Sequence, residues 1–166
     1  MKARREAGAA AVGALVFLGA ALRLDAGAAE LARLVILGSA LGAVAAIDLA
    51  QHRVPNRIVI PASLACAGLL AAEGHPERLL TGLGVLALML GVSLVWPASF
   101  GMGDVKLALL LVLGLAGLAA EALLFGLLLA AAFGALLIVQ QGRAATHRAL
   151  PLAPFLSGGA ILAVVL

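Results

Sequence analysis

Gly101-Met102-Gly103-Asp104-Val105-Lys106-Leu107-Ala108-Leu109-Leu110-Leu111-Val112-Leu113-Gly114-Leu115 is the stretch from which the rest of the chain can be read. From Leu107 onward it has no charged residue and no alternation of apolar with polar positions, so it fits a lipid-embedded helix and not a barrel strand. One ionisable carboxyl, Asp104, stands at its mouth. A carboxylate beside lipid is costly, so it faces protein or a water-filled cavity and marks a working site. Gly101 and Gly103 strip the approach of side-chain bulk, which lets another backbone come close to Asp104.

The composition of the whole chain agrees with that solvent. Of its 166 residues, 64% are hydrophobic and only 11% are charged, and the mean hydropathy is +1.20. A soluble domain of this size could not hide so much apolar surface. The pI near 10.0 does not point to nucleic acid, because the basic residues are scattered between apolar runs and form no patch. Cys66 is the single cysteine, which excludes a disulfide framework, a zinc CxxC pair and a redox pair. His52, His75 and His147 fall in three separate connections, so no shared metal site and no cofactor is expected.

Apolar runs divided by charged or Pro/Gly-bearing breaks predict an all-α, polytopic transmembrane helical bundle of about seven spans. They fall near residues 7–22, 31–49, 58–72, 79–96, 105–118, 122–139 and 151–166. Several are shorter than the roughly 20 residues a helix needs to cross the hydrocarbon, so their ends extend into the interface or the bilayer thins. The division between the fifth and sixth, around Gly117 to Glu121, is the weakest, and a count of six stays open. Small residues such as Gly82-Leu83-Gly84 and Gly114-Leu115-Ala116-Gly117 suit close helix packing in lipid. Residues 1–30 read as an extra first span with its connection, and 31–166 as the membrane core. The first span imitates a secretory signal, with a basic start and small residues near Ala26-Gly27-Ala28. The short connection leads straight into another span, so an uncleaved first helix is expected.

Charge sets the orientation. With the N-terminus cytoplasmic, the inner segments carry Lys2, Arg4, Arg5, Arg53, Arg57, Lys106, Arg143 and Arg148, and the outer ones only Arg23, Arg33 and Arg78. This bias obeys the positive-inside rule. The outer acids Asp25, Glu30, Glu73, Glu77 and Glu121 read as solvated interface residues. Asp48, which closes the second apolar run, then shares the cytoplasmic side with Asp104.

Two aspartates held together cannot easily both ionise, because like charge and desolvation each raise a carboxyl pKa. Such a pair shares one proton, as in aspartic proteases. The charged member takes a proton from an attacking water, and the neutral member protonates the developing oxyanion. Pro55 suits a helix start, since its missing N–H would be unpaired there. Lys106 lies two residues past Asp104, off its helical face. It either biases the local potential or snorkels to headgroups. Arg53 and Arg57 read as anchors to lipid phosphates.

Ile47-Asp48-Leu49 through Val54-Pro55-Asn56 resembles the first aspartate motif of the type IV prepilin peptidases, an aspartate followed at short range by (Ile/Val)-Pro-Asn. Gly101-Met102-Gly103-Asp104-Val105-Lys106 is similar to their GxGDxK motif. Pro151-Leu152-Ala153-Pro154-Phe155-Leu156, followed by Gly158-Gly159, is similar to a third segment, PFGPFL, with Leu152 and Ala153 departing from it. The resemblance covers about residues 40–166. It implies an aspartic endopeptidase of the bacterial or archaeal inner membrane that removes the basic leader of prepilins and pseudopilins, after a glycine, at the cytoplasmic face. It implies Asp48 and Asp104 as the catalytic pair, backbone approach at Gly101 and Gly103, and supporting contacts from Pro55, Asn56 and Lys106. Long members of that family carry a cysteine-rich insertion and methylate the new N-terminus. With Cys66 alone, this chain resembles the short form, and no methyltransferase activity is expected. The expected partners are prepilin substrates and the lipid bilayer, and no nucleic acid.

A competing reading is a non-enzymatic polytopic subunit that uses Asp48 and Asp104 for proton or cation handling. Such acids more often lie near mid-membrane, whereas both here fall at one face. A structural partner or decayed relative is disfavoured by the presence of both aspartates and both glycines. The signal-peptide-peptidase branch of GxGD proteins uses a Tyr-Asp motif, and this chain has no tyrosine.

Overall fold

The computed structural model describes residues 2–23, 26–74, 76–95, 101–141 and 150–166. They form seven α-helices: α1 (Lys2–Arg23), α2 (Ala28–Gln51), α3 (Asn56–Ala72), α4 (Pro76–Val95), α5 (Met102–Leu115), α6 (Ala119–Gln141) and α7 (Ala153–Val165). A 3-10 turn at Ala116–Leu118 separates α5 from α6, and no strand occurs among the described residues. Each expected span has its helix. The fold is an all-helical membrane bundle.

Among the described residues, three stretches are long and apolar enough to cross a membrane: Arg4–Leu22, Ala28–Gln51 and Met102–Gln141. The last is continuous in hydropathy over 40 residues, yet it is two helices. Ala116 adopts φ 50°, ψ −108°, on the side of the map that L-residues avoid, and this ends α5. The chain reverses there. Gly103 of α5 abuts Val54, just past the α2 C-terminus, while Gly114 abuts Leu37 deep in α2. α6 then returns: Ala122 and Gly126 meet Gly159 of α7, and Gly134 meets Leu150, which precedes α7. The break expected at Gly117 to Glu121 therefore begins one residue earlier, and it separates two of the seven helices among the described residues.

Helices α1, α2, α4 and α6 have 22, 24, 20 and 23 residues, longer than their apolar cores. Helices α3, α5 and α7 have only 17, 14 and 13. At 1.5 Å per residue, α5 is about 21 Å long, against roughly 30 Å of hydrocarbon. All three short helices begin at the same end of the bundle, beside the C-terminus of α2.

α2 and α5 form the centre, with Leu37, Leu41, Leu107, Leu110 and Leu111 fully buried. Phe17 of α1, Leu70 of α3 and Leu156 of α7 close around them. Large apolar side chains such as Leu15, Leu80, Leu88, Leu94, Leu128 and Val139 point outward, where only lipid would solvate them favourably. Apolar burial gives helices little drive to associate in lipid, so close contact must supply it. A Cβ on Gly42 would strike the Ala9 carbonyl, and one on Gly38 would lie 2.7 Å from the Phe17 ring. α1 thus presses directly on α2. Gly84 and Gly117 meet nothing, so only some of the expected small-residue contacts exist.

Arg33 and Glu73 depart from their expected roles. Arg33 is only 1% exposed. Its guanidinium donates to Glu73 through Nε at 3.1 Å and Nη2 at 3.3 Å, and through Nη1 to the Gly114 carbonyl at 2.6 Å. Glu30 stands 3.8 Å away on its exposed side. Glu73 is therefore a buried arginine's partner and not a solvated interface acid. Burial of a guanidinium requires such a partner, and this one ties α2, the end of α3 and the last turn of α5 together.

Candidate active site

Asp48 lies in the last turn of α2 and is 5% exposed. α2 ends because His52 enters the left-handed region (φ 48°, ψ 48°), its N–H returning to the Asp48 carbonyl at 2.8 Å. Arg53, Val54 and Pro55 then run without regular structure, and Pro55 caps α3 at φ −78°, ψ 119°. Its carbonyl takes the N–H groups of Ile58 and Val59 at 3.1 and 3.2 Å. Proline has no N–H to leave unpaired at this start, as expected.

Opposite, extended Gly101 (φ −75°, ψ 150°) caps α5. Asp104 is the third residue of that helix, and Gly103 lies inside the first turn. The Asp104 carboxylate reaches back to accept the Gly101 N–H at 3.2 Å. This is the returning half of a capping box, with an acid where the helix dipole favours one. A Cβ on Gly103 would lie 3.0 Å from the Val54 Cβ. The missing side chain thus makes room for the α2–α3 connection, whereas Gly101 keeps only ordinary contacts.

The α2–α3 connection, the start of α5 and the entry to α7 line an open cavity of about 380 Å³. Asp48 and Asp104 both line it, with His52, Arg53, Asn56, Gly101, Gly103, Lys106 and residues 150–152. Pro55 is not among the residues that line the cavity; it caps α3, whose first residue, Asn56, does line it. Lys106 does not snorkel: its Nζ donates to Asn56 Oδ1 at 3.0 Å, bridging α5 to α3 at the rim. Arg53 lines the cavity, and Arg57, 75% exposed, stands 3.8 Å from Glu6 of α1. That exposed pair adds little stability. Asp25, His75, Arg143, His147, Arg148 and the Trp96 end of the expected fourth span lie outside the described residues.

The sequence reading missed two features. His52 and Arg53 belong to the cavity wall, and their place inside the first motif was the available signal. The second is a backbone group: the Ala153 N–H donates to Asp48 Oδ2 at 3.1 Å, buried, from the first residue of α7. Arg53 and Lys106 beside two carboxylates give an open, charged niche at one end of an otherwise apolar bundle.

A family model described as the type IV leader peptidase family matches residues 35–139, more than half of the chain, and includes both aspartate motifs. No curated protein and no solved structure matches. The match excludes α1 and the entry to α7, so the packing of those elements is known from the fold alone. On this match the chain is a peptidase, and it belongs to the type IV leader peptidase family.

Proposed function

We propose that the chain is an aspartic endopeptidase that removes the basic leader from type IV prepilins or pseudopilins, with Asp48 and Asp104 as its catalytic pair. The observation that carries this reading is that both carboxylates, from separate helices, line one cavity at one end of a membrane bundle. The pair holds a single proton. Its anionic member takes a proton from water as the water oxygen bonds to the scissile carbonyl carbon, and its neutral member protonates the carbonyl oxygen. The tetrahedral diol then collapses: the C–N bond breaks, nitrogen leaves with a proton from the neutral member, a diol hydroxyl gives its proton to the anionic member, and the pair again holds one proton with one water consumed. No metal or cofactor is required by these steps.

The orientation follows from charge. Arg4, Arg5, Arg53, Arg57 and Lys106 share the cavity's end of the bundle. Of the opposite basic residues, Arg33 is buried against Glu73 and contributes nothing to a loop's free charge. The positive-inside rule therefore supports a cytoplasmic cavity in a multi-pass inner-membrane protein. A prepilin, with a basic leader joined to an apolar helix, can lie in the bilayer beside such a rim. The absence of a cysteine-rich insertion supports a peptidase without methyltransferase activity.

Co-expression with a candidate prepilin tests the proposal, with leader loss followed by gel shift. Asp48→Asn and Asp104→Asn should each abolish processing while the protein still accumulates in the membrane. Normal cleavage by either variant refutes the pair. In a Cys66→Ala background, His52→Cys and Met102→Cys should be labelled from the cytoplasmic side.

A further inference from the structure

We infer that the Pro151-Leu152-Ala153 segment is a positioning element for the reaction, its Ala153 N–H fixing the carboxylate of Asp48. The inference rests on the peptidase reading above.

The two aspartates are oriented by different means. Asp104 is held by Gly101, the cap of its own helix, in an exposed bond of 3.2 Å. Asp48 is held across 105 residues by α7, in a buried bond of 3.1 Å between groups 0% and 5% exposed. Asp48 needs an outside donor. The last turn of a helix presents unpaired carbonyls and no free N–H groups. Conversely, the first N–H of α7 has no partner within its own helix. The bond satisfies both ends at once.

α7 is also keyed in height and rotation. Ser157 Oγ lies 2.8 Å from the Ala153 carbonyl and 3.4 Å from the Leu41 carbonyl of α2. Gly159 packs directly on Ala122 and Gly126 of α6. These contacts set where the Ala153 N–H points, and therefore where one Asp48 oxygen stands relative to the cavity.

The test uses the purified full chain in lipid nanodiscs. The probe is a synthetic peptide with a basic leader, a glycine at the cleavage point and an apolar segment. Ala153→Pro deletes the N–H at the one helical position where proline is well tolerated. It should lower kcat by about 10- to 100-fold, the value of a hydrogen bond to a charged group, with KM unchanged. Ala153→Gly, which keeps the N–H, should retain the wild-type kcat. Leu152 has αR geometry (ψ −29°), which a following proline resists. A lactic-acid residue at 153, exchanging only N–H for an ester oxygen, is therefore the second variant and should give the same split. The inference is overturned if both variants keep the wild-type kcat, if Ala153→Gly falls as far as they do, or if the loss appears in KM. Asp48→Asn and Asp104→Asn run alongside. Cleavage surviving in either one defeats the peptidase pair itself, whereas their loss beside an active ester variant defeats only the positioning role.

Discussion

Replacing Glu73 by leucine tests how the bundle is closed at the end away from the cavity. The substitution leaves the Arg33 guanidinium, 1% exposed, with the Gly114 carbonyl and a Glu30 oxygen 3.8 Å away. Removing one partner of a buried pair costs about 3–5 kcal/mol. Glu30 remains 3.8 Å from Nη2 and partly offsets the stranded charge, so the lower end, about 3 kcal/mol, is expected. Arg33→Met should cost about 2–3 kcal/mol, since it strands the carboxylate and the Gly114 carbonyl. The double variant has no buried charge. It should lose only about 1–2 kcal/mol, mainly for the Gly114 carbonyl. The assay is equilibrium unfolding by SDS titration in mixed micelles, with helicity as the signal. The reasoning fails if Glu73→Leu stays within about 1 kcal/mol of wild type, or if the double variant equals the sum of the singles.

Two further outcomes are expected. Gly159→Ala drives a methyl into the Ala122 carbonyl and the Gly126 backbone, whereas a Cβ on Gly158 meets only the end of the Leu129 side chain at 3.2 Å. The first should lose about 1–3 kcal/mol and most cleavage, and the second neither, by the same unfolding and peptide assays. Asn56→Ala and Lys106→Met each break the rim bridge of 3.0 Å. Because the bridge is exposed, stability should change by less than about 1 kcal/mol. Cleavage by the double variant should be no worse than by the poorer single, and full additivity would refute a shared role.

The seven helices were legible because lipid leaves no alternative: long apolar runs must satisfy their backbone internally. The α5–α6 break was poorly legible for a related reason. Hydropathy is unbroken across Met102–Gln141, and the turn depends on the backbone of one alanine, Ala116, whose side chain announces nothing. Asp48 and Asp104 were legible as acids among apolar residues. The Lys106–Asn56 bridge was not, since it joins residues 50 apart and exists only once α3 and α5 are set side by side. Arg33 was half legible. An arginine inside an apolar run signals a buried partner, but counting it as a loop charge concealed Glu73. The Ala153 N–H was illegible in principle, because every residue but proline has one, and only the fold determines which N–H reaches a carboxylate.

One electrostatic rule accounts for Asp48 and Asp104 at one end of the bundle and for the Arg33–Gly114 bond at the other. Helix starts leave N–H groups without intrahelical partners, and helix ends leave carbonyls. α3, α5 and α7 all start around the cavity, where lipid cannot hydrate their free donors. Asp104 takes one from α5 and Asp48 takes one from α7. At the opposite end α5 stops, and Arg33 supplies a donor to its Gly114 carbonyl. The aspartates therefore carry a structural duty besides the proposed chemistry, and the two duties separate by substitution. Asparagine at 48 keeps an oxygen for the Ala153 N–H but cannot take a proton from water. It should preserve the fold and stop cleavage. Leucine at 48 leaves that buried N–H unpaired and should cost about a further 1–3 kcal/mol. If Asp48→Leu proved as stable as Asp48→Asn in the SDS titration, the carboxylate would have no part in holding α7, and the Ala153 bond would lose its energetic basis.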